Sequence, residues 1–402
     1  MTPSAEAKNH TPYIIITYPY PLGQANGGAR MTREIARHLG RAGARVTIVS
    51  VSAPARLQYP RSAVDHRYLG HEFDDDLASE HVDVLRVAPN LFHWSLDGLP
   101  VYRRVKKILK HQEVDLVLSY YHEAAFLPSL LKSKKIKFGF IATWISYQLA
   151  LNRPIKKKFL RETLRTWIDK RFILKPHKRA DLIFATSKFT RDELINIMNL
   201  EPARIIVCPL GVSAAFLKIP REKPGAISRF LFFGRVVRIK GIEDCINALS
   251  LIKERGFRDW KFRIFGPGNH DWAQNLVRTQ CLEDNVEIFD EIGDEDLYRE
   301  LQEAELAFMP SHVEAFGLSL AEAQAAGLPI IAYDVGSVPE IVESGKTGWL
   351  APFRQIERLA ELLESAILSP ESAFQAGLAG RERIARGYSW DNTAEIILAQ
   401  LK

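Results

Sequence analysis

The stretch from Pro310 to Leu350, P-S-H-V-E-A-F-G-L-S-L-A-E-A-Q-A-A-G-L-P-I-I-A-Y-D-V-G-S-V-P-E-I-V-E-S-G-K-T-G-W-L, decides how the rest of the chain is read. Good helix formers run from Leu318 to Ala326 behind a polar lead-in at Ser311 to Glu314. Gly327 stands where a left-handed C-cap belongs, and Pro329 cannot continue the helix. Ile330 to Tyr333 then reads as a short buried strand, Asp334 to Ser337 as a loop, and Val338-Pro339-Glu340 as the start of another helix.

Glu314 and Glu322 stand eight residues apart, which at ~1.5 Å per helical residue separates them by about 12 Å along the axis. That is roughly the length of a sugar joined to a nucleoside through a diphosphate. Between them the amides of Phe316 to Ser319 open the helix, and a helix N-terminus beside a glycine is an anion site. Two carboxylates that can each grip a diol, with an anion cradle between, suit a nucleotide sugar. The spacing alone has little weight, because a 402-residue chain shows roughly two such glutamate pairs by chance.

The whole string is far more specific. Its P-S-x-x-E-x-F-G-L and E-A-x-A-x-G-x-P segments, followed by D-V-G-S-V-P-E-I-V and G-K-T-G-W-L, resemble the donor-site signature of retaining GT-B glycosyltransferases of the family 4 type. The E-x7-E element of that family falls on Glu314 and Glu322. The resemblance implies an α/β GT-B fold, two Rossmann-like domains facing each other across a cleft. It also implies transfer of a hexose from a UDP- or GDP-sugar to an acceptor hydroxyl, with retention. Glu322 would take the ribose diol and Glu314 the hydroxyls of the transferred sugar, while Ala315, Phe316, Gly317, Leu318 and Ser319 would supply the remaining donor contacts.

A chain of 402 residues suits two domains. Residues 1–11 are polar and expected to be disordered; 12–212 form the acceptor-side domain, 213–228 a Pro-rich linker and 229–385 the donor domain, with a helix in 386–402 crossing back to the first domain. The first domain opens with a strand at Tyr13 to Thr17, a loop containing Gly27 and Gly28, a helix from Ala29 to Leu39 and a strand at Val46 to Val51. The loop lacks G-x-G-x-x-G order, so no NAD is read into it. As residues alone, Gly27 and Gly28 fit a turn before a helix; in the family resembled, such a pair faces the donor diphosphate and acceptor.

Further strands are read at Val82 to Val87, Asp115 to Ser119 and Phe138 to Thr143, with a helix from Tyr102 to His111. Many relatives carry a histidine, which contacts the transferred sugar, roughly where Ile145 stands. Ile145 cannot do this, and His122 at the end of the preceding strand is the alternative, although a lone histidine at a strand end is as often structural.

The second domain opens with a strand at Phe230 to Phe233, then Gly234-Arg235 and, before the next helix, Lys240-Gly241. Two cations beside one helix N-terminus suit a diphosphate, since Arg binds it bidentately and Lys adds a point charge. The family's G-R-x4-K-G element matches at Gly234, Arg235 and Lys240, which implies a diphosphate role for them. The catalytic set expected from the resemblance is Arg235, Lys240 and Glu314, joined by His122. With two cations at the phosphates no metal is required, and no cofactor is expected beyond the nucleotide-sugar substrate.

Composition narrows the remaining classes. Hydrophobic content of 47% with 25% charged residues is that of a soluble globular protein, and no apolar run reaches the ~18 residues of a membrane span. Cys208, Cys245 and Cys281 lack metal or redox spacing. These features point to the cytoplasm.

Charge is uneven: Pro100 to Ala180 holds 20 Lys and Arg against 5 Asp and Glu, and the remainder 34 against 43. Within the basic stretch 153–179, Phe159, Leu160, Leu164, Trp167, Ile168 and Phe172 recur at helical spacing among Lys157, Lys158, Arg161 and Arg165. Such a helix fits an anionic membrane surface, which would place the protein peripherally at the inner face of the plasma membrane beside a glycan or lipid-linked acceptor; it also fits a core-facing helix with solvated charges. No nucleic-acid-binding module is recognisable. A GT-B enzyme on a small soluble acceptor and a catalytically inactive nucleotide-sugar-binding scaffold remain the alternatives.

Overall fold

The computed structural model describes residues 10–20, 22, 27–51, 77–88, 98–143 and 175–401. Ile145, the basic helix read within 153–172, the irregular segment 57–76 and the N-terminal residues 1–9 lie outside the described residues.

Two parallel sheets organise the chain. The first runs β1 (Tyr13–Tyr18), α1 (Gly27–Arg41), β2 (Arg45–Val51), β3 (Val82–Val87), α2 (Gly98–Ile108), β4 (Leu116–Ser119), α3 (Leu127–Lys134), β5 (Lys137–Ala142), α4 (Lys175–Lys178), β6 (Leu182–Ala185), α5 (Lys188–Met198) and β7 (Ile205–Val207). Its strand order is β3-β2-β1-β4-β5-β6-β7. After α6 (Ala214–Leu217) the second sheet is built from β8 (Arg229–Phe233), α7 (Ile242–Glu254), β9 (Lys261–Phe265), α8 (His270–Thr279), β10 (Val286–Phe289), α9 (Asp294–Glu303), β11 (Leu306–Phe308), α10 (Leu318–Ala325), β12 (Ile330–Tyr333), α11 (Val338–Ile341) and β13 (Gly348–Ala351). Its order is β10-β9-β8-β11-β12-β13. Three helices follow, α12 (Ile356–Leu368), α13 (Pro370–Gly387) and α14 (Trp390–Ala399). The architecture is α/β, two doubly wound parallel sheets.

The sequence explains this local form. Every residue of β1 (YIIITY) is buried, as expected for a central parallel strand covered by helices on both faces. Ile14 and Ile16 join one core and Tyr13 and Ile15 the other, following the two-residue period of a strand. The first of these cores is continuous across the molecule. It runs from Ile35 and Leu39 on α1, through Leu210, Val212 and Phe216, to Phe230 and Phe232 on β8 and to Trp390 and Ile397 on α14.

Two helix boundaries differ from the sequence reading. The helix expected over Tyr102 to His111 runs Gly98–Ile108, because Pro100 is tolerated in a first turn where no amide partner is needed. Helix α1 begins at Gly27 rather than Ala29, so both glycines lie in its first turn. Among the described residues no helix is long and apolar enough to cross a membrane.

Candidate functional site

In each sheet the strand order reverses once, between β1 and β4 and between β8 and β11. Loops leaving the carboxyl ends of strands at such a reversal form the crevice of an open α/β sheet. The residues singled out from the sequence lie on those loops or on the helices that follow them.

On the second sheet, β8 leads into Gly234 and a 3₁₀ turn at Arg238–Lys240, while β11 leads into the 310–317 loop. These two loops are stitched together. The His312 amide donates to Ile239 O at 2.9 Å, and His312 Nε2 lies 3.0 Å from Asp244 Oδ2, which also accepts from the Tyr333 hydroxyl at 2.9 Å. The consequence is that Lys240 Nζ reaches Glu314 Oε1 at 2.5 Å, with only 19% and 10% of the two side chains exposed. An ammonium has three donors, so pairing with Glu314 orients Lys240 and leaves capacity for a further anion. The Arg235 guanidinium is exposed, and among the described residues it makes no ion pair; its charge acts on the Tyr121 hydroxyl beyond β4.

Glu314 lies in the loop, four residues before α10 begins, so the helical rise assumed from its spacing to Glu322 does not apply. Its backbone is held from behind: Glu314 O accepts from the Ser337 amide at 3.1 Å and the Ser337 hydroxyl at 3.2 Å. Gly336 makes this approach possible. It adopts φ +56°, and a Cβ there would lie 2.3 Å from Glu314 O. The D-V-G-S run is therefore a backstop for the glutamate loop.

The five residues after Glu314 have different surroundings. Ala315 O accepts from Ser187 Oγ at 2.6 Å and Thr190 Oγ1 at 3.0 Å, tying this loop to the first turn of α5. At the same helix end the Glu340 carboxylate accepts from the Lys188 and Phe189 amides at 2.9 and 2.8 Å, an anion at a helix N-terminus. Phe316 is buried against the Tyr388 ring. Gly317 is the N-cap of α10 at φ 89°, a left-handed conformation, and supplies no side-chain cap. The amides of Leu318 and Ser319, in the first turn, are left pointing out of the helix start.

Glu322 lies within α10, and its side chain is only 7% exposed. Burial pushes its carboxyl up to about 7, against the pull of Arg30. Arg30 Nη1 donates to Glu322 Oε1 at 2.9 Å and Nη2 to Asp294 Oδ1 at 3.1 Å. Arg30 belongs to the first turn of α1, two residues after Gly28; Gly28 O there accepts from Thr32 Oγ1 at 2.8 Å.

His122 opens a 3₁₀ turn, His122–Ala124, at the carboxyl end of β4. Its neighbour Glu123, which the sequence reading passed over, is fully buried. The Tyr120 amide donates to its Oε1 at 2.7 Å, and the Tyr121 amide reaches both oxygens at 3.0–3.1 Å. Burial raises this carboxyl to about 7. Glu123→Ala would strand these buried donors, and we expect it to lower stability by about 3 kcal/mol, read as a reduced denaturation midpoint with an unchanged m-value.

Sequence reasoning missed Arg30, Asp294 and Glu123. One signal was available for the first: α1 has no acidic residue in its first turn, and a cation at the positive end of a helix dipole is locally unfavourable. Arg30 therefore needs a tertiary partner.

Comparisons with known proteins identify the family and the fold. Residues 25–216 match the family described as Glycosyltransferase Family 4, and residues 218–383 match Glycosyl transferases group 1. The chain belongs to the GT4-type GT-B glycosyltransferases. It is 28% identical over 228 residues to glycogen synthase from Mycobacterium tuberculosis, covering 55% of each protein, so that match spans about half the relative's length. It is 26% identical over 390 residues to the D-inositol 3-phosphate glycosyltransferase of Pseudarthrobacter chlorophenolicus, covering 94% of this chain and 90% of that one.

Among solved structures, sucrose-phosphate synthase from Thermosynechococcus elongatus superposes with a TM-score of 0.74 at 20% identity, covering 98% of both chains. Anabaena HepE in complex with UDP-glucose gives 0.70 at 16% identity, covering 96% of this chain and 99% of that one. The structural matches establish the fold.

Proposed function

We propose that this chain is a retaining glycosyltransferase that moves a hexose from a UDP- or GDP-sugar to the hydroxyl of a glycan or lipid-linked acceptor. The observation that carries the reading is the pairing of Lys240 with Glu314 beside the uncapped start of α10, with Glu322 on the same helix.

Lys240, Arg235 and the α10 amides neutralise the leaving diphosphate while the bond between the sugar's C1 and its phosphate oxygen breaks toward an oxocarbenium-like state. The acceptor hydroxyl attacks C1 from the face the diphosphate leaves, and its proton passes to a leaving-group oxygen. Glu314 orients the sugar hydroxyls and Glu322 the ribose. The cations on the protein supply the charge that a metal would otherwise supply. HepE, whose solved structure holds UDP-glucose, supports the donor class.

The acceptor side is proposed to rest on an anionic membrane surface through 153–179. Exposed Lys106, Lys107 and Lys110, with Lys132 and Lys134 on α3, extend the positive charge of this half of the chain. Each cation near such a surface contributes about 1 kcal/mol.

A thermal-shift panel of UDP, GDP, ADP, CDP and TDP on the native protein and on Lys240→Ala tests the donor reading. A nucleotide at 100 times its Kd stabilises by about 2.7 kcal/mol. We expect one nucleoside diphosphate to raise the Tm and to lose that effect in the variant; a panel without a shift overturns the reading.

A further inference from the structure

Arg30 sits where two surfaces meet. It is carried by α1 of the first sheet, yet both of its carboxylate partners, Glu322 on α10 and Asp294 at the start of α9, belong to the second. Its guanidinium also stands 5.4 Å from the centre of the Phe216 ring, in the segment joining the two sheets. Two buried groups, Glu322 and Phe216, and the exposed Asp294 therefore define the position of one flexible side chain. At Glu322 the contact uses Oε1 alone: among the described residues Oε2 accepts no hydrogen bond, and it keeps some contact with solvent. Oε1 itself has a second lone-pair site after accepting from Arg30.

We propose that Arg30 is a positioning residue for the donor's ribose, holding Glu322 from the opposite domain so that its carboxylate presents Oε2 to the ribose hydroxyls. This rests on the donor reading above and adds a coupling to it: Glu322 has its cation only while the two sheets stand at their present separation. A hydroxyl donates most strongly to an ionised carboxylate, and Arg30 favours that form of a group that burial pushes up to about 7. Arg33 on α1 adds a second, partly buried cation beside Arg30, and the other charges around the pair are acidic or neutral. Asp294 raises the Glu322 carboxyl further, while Glu34 on α1 and Tyr298 on α9 flank Arg30.

The test is calorimetric titration of UDP and GDP, each beside its 2′-deoxy counterpart, into the native protein, Arg30→Met and Arg30→Lys. The native protein is expected to bind its ribonucleotide about tenfold more tightly than the deoxy form, the size of one charge-assisted hydrogen bond. Arg30→Met is expected to lose about tenfold on the ribonucleotide and little on the deoxynucleotide, with Arg30→Lys in between because an ammonium keeps the charge without the two-carboxylate fork. Ribonucleotide affinity should rise with pH through about 7 in the native protein, and the rise should move to higher pH in Arg30→Met. Should Arg30→Met not fold, the same comparison is read from Arg30→Lys.

Equal losses on both nucleotides, or no loss on either, would overturn the role of Arg30 and leave the donor site standing. A native protein that binds none of the four overturns both.

Discussion

Lys240→Ala is expected to reduce kcat/KM for the nucleotide-sugar donor by about three orders of magnitude, the effect of removing one preorganised group from developing charge. The side chain has two tasks. Its ammonium faces the site proposed for the leaving diphosphate, and at 2.5 Å it also orients Glu314, which is itself proposed to hold the transferred sugar. Truncation therefore removes a charge and loosens a sugar contact together. Stability falls too, since the Glu314 side chain, 10% exposed, loses its cation. Breaking a partly buried pair costs about 2 kcal/mol, less than for a fully buried one. Steady-state kinetics with a denaturation curve on the same sample read both effects, and an unchanged kcat/KM would remove Lys240 from the mechanism.

Glu322→Ala is expected to weaken nucleoside diphosphate binding by about a hundredfold, because two hydroxyls of the ribose lose an ionised acceptor at ~1.5 kcal/mol each. Titration calorimetry measures this directly, and unchanged donor affinity would contradict the assignment.

The variant has a second signature. The folded carboxyl is raised to about 7 from 4.5, so the folded state binds more protons than the unfolded state between those values. This group's contribution to stability is present below pH 4.5 and is lost as pH rises through 7. Removing it flattens the pH dependence across that window, by on the order of 2–3 kcal/mol. Stability of the variant relative to the native protein should therefore improve as pH rises from about 4.5 to 7. Denaturation at several pH values checks the sign.

Much of the second half was legible in the chain itself. The strand Ile330–Tyr333 has the predicted bounds. Helix α10 starts at Leu318 and ends beside Gly327, whose φ of +79° is the left-handed conformation that its position after the helix formers suggested. In the first half, a serine just before a helix does what its side chain favours: Ser187 caps α5 through the Thr190 amide. In each case the deciding physics is local: backbone conformation, a side-chain cap, or a run of apolar residues too long to leave in water.

Residues that act through distant partners left little or no such trace. Lys240 and Glu314 were each recognisable from their motifs, but their pairing was not, because it depends on two loops being docked by His312 and Asp244. Glu123 looked like an ordinary carboxylate after a strand; its burial follows from packing at the end of β4, where the Tyr120 and Tyr121 amides need an acceptor.

Arg30 and Glu322 are the extreme case, 292 residues apart in sequence. The amino-acid sequence by itself determined two parallel α/β sheets, the loops that leave them and the residue types on those loops, since these follow from short-range periodicity and backbone chemistry. Only the tertiary structure decided which charges meet. A contact between domains is set by how two separately formed layers pack, and no spacing along one chain encodes the distance between side chains brought together from opposite sheets.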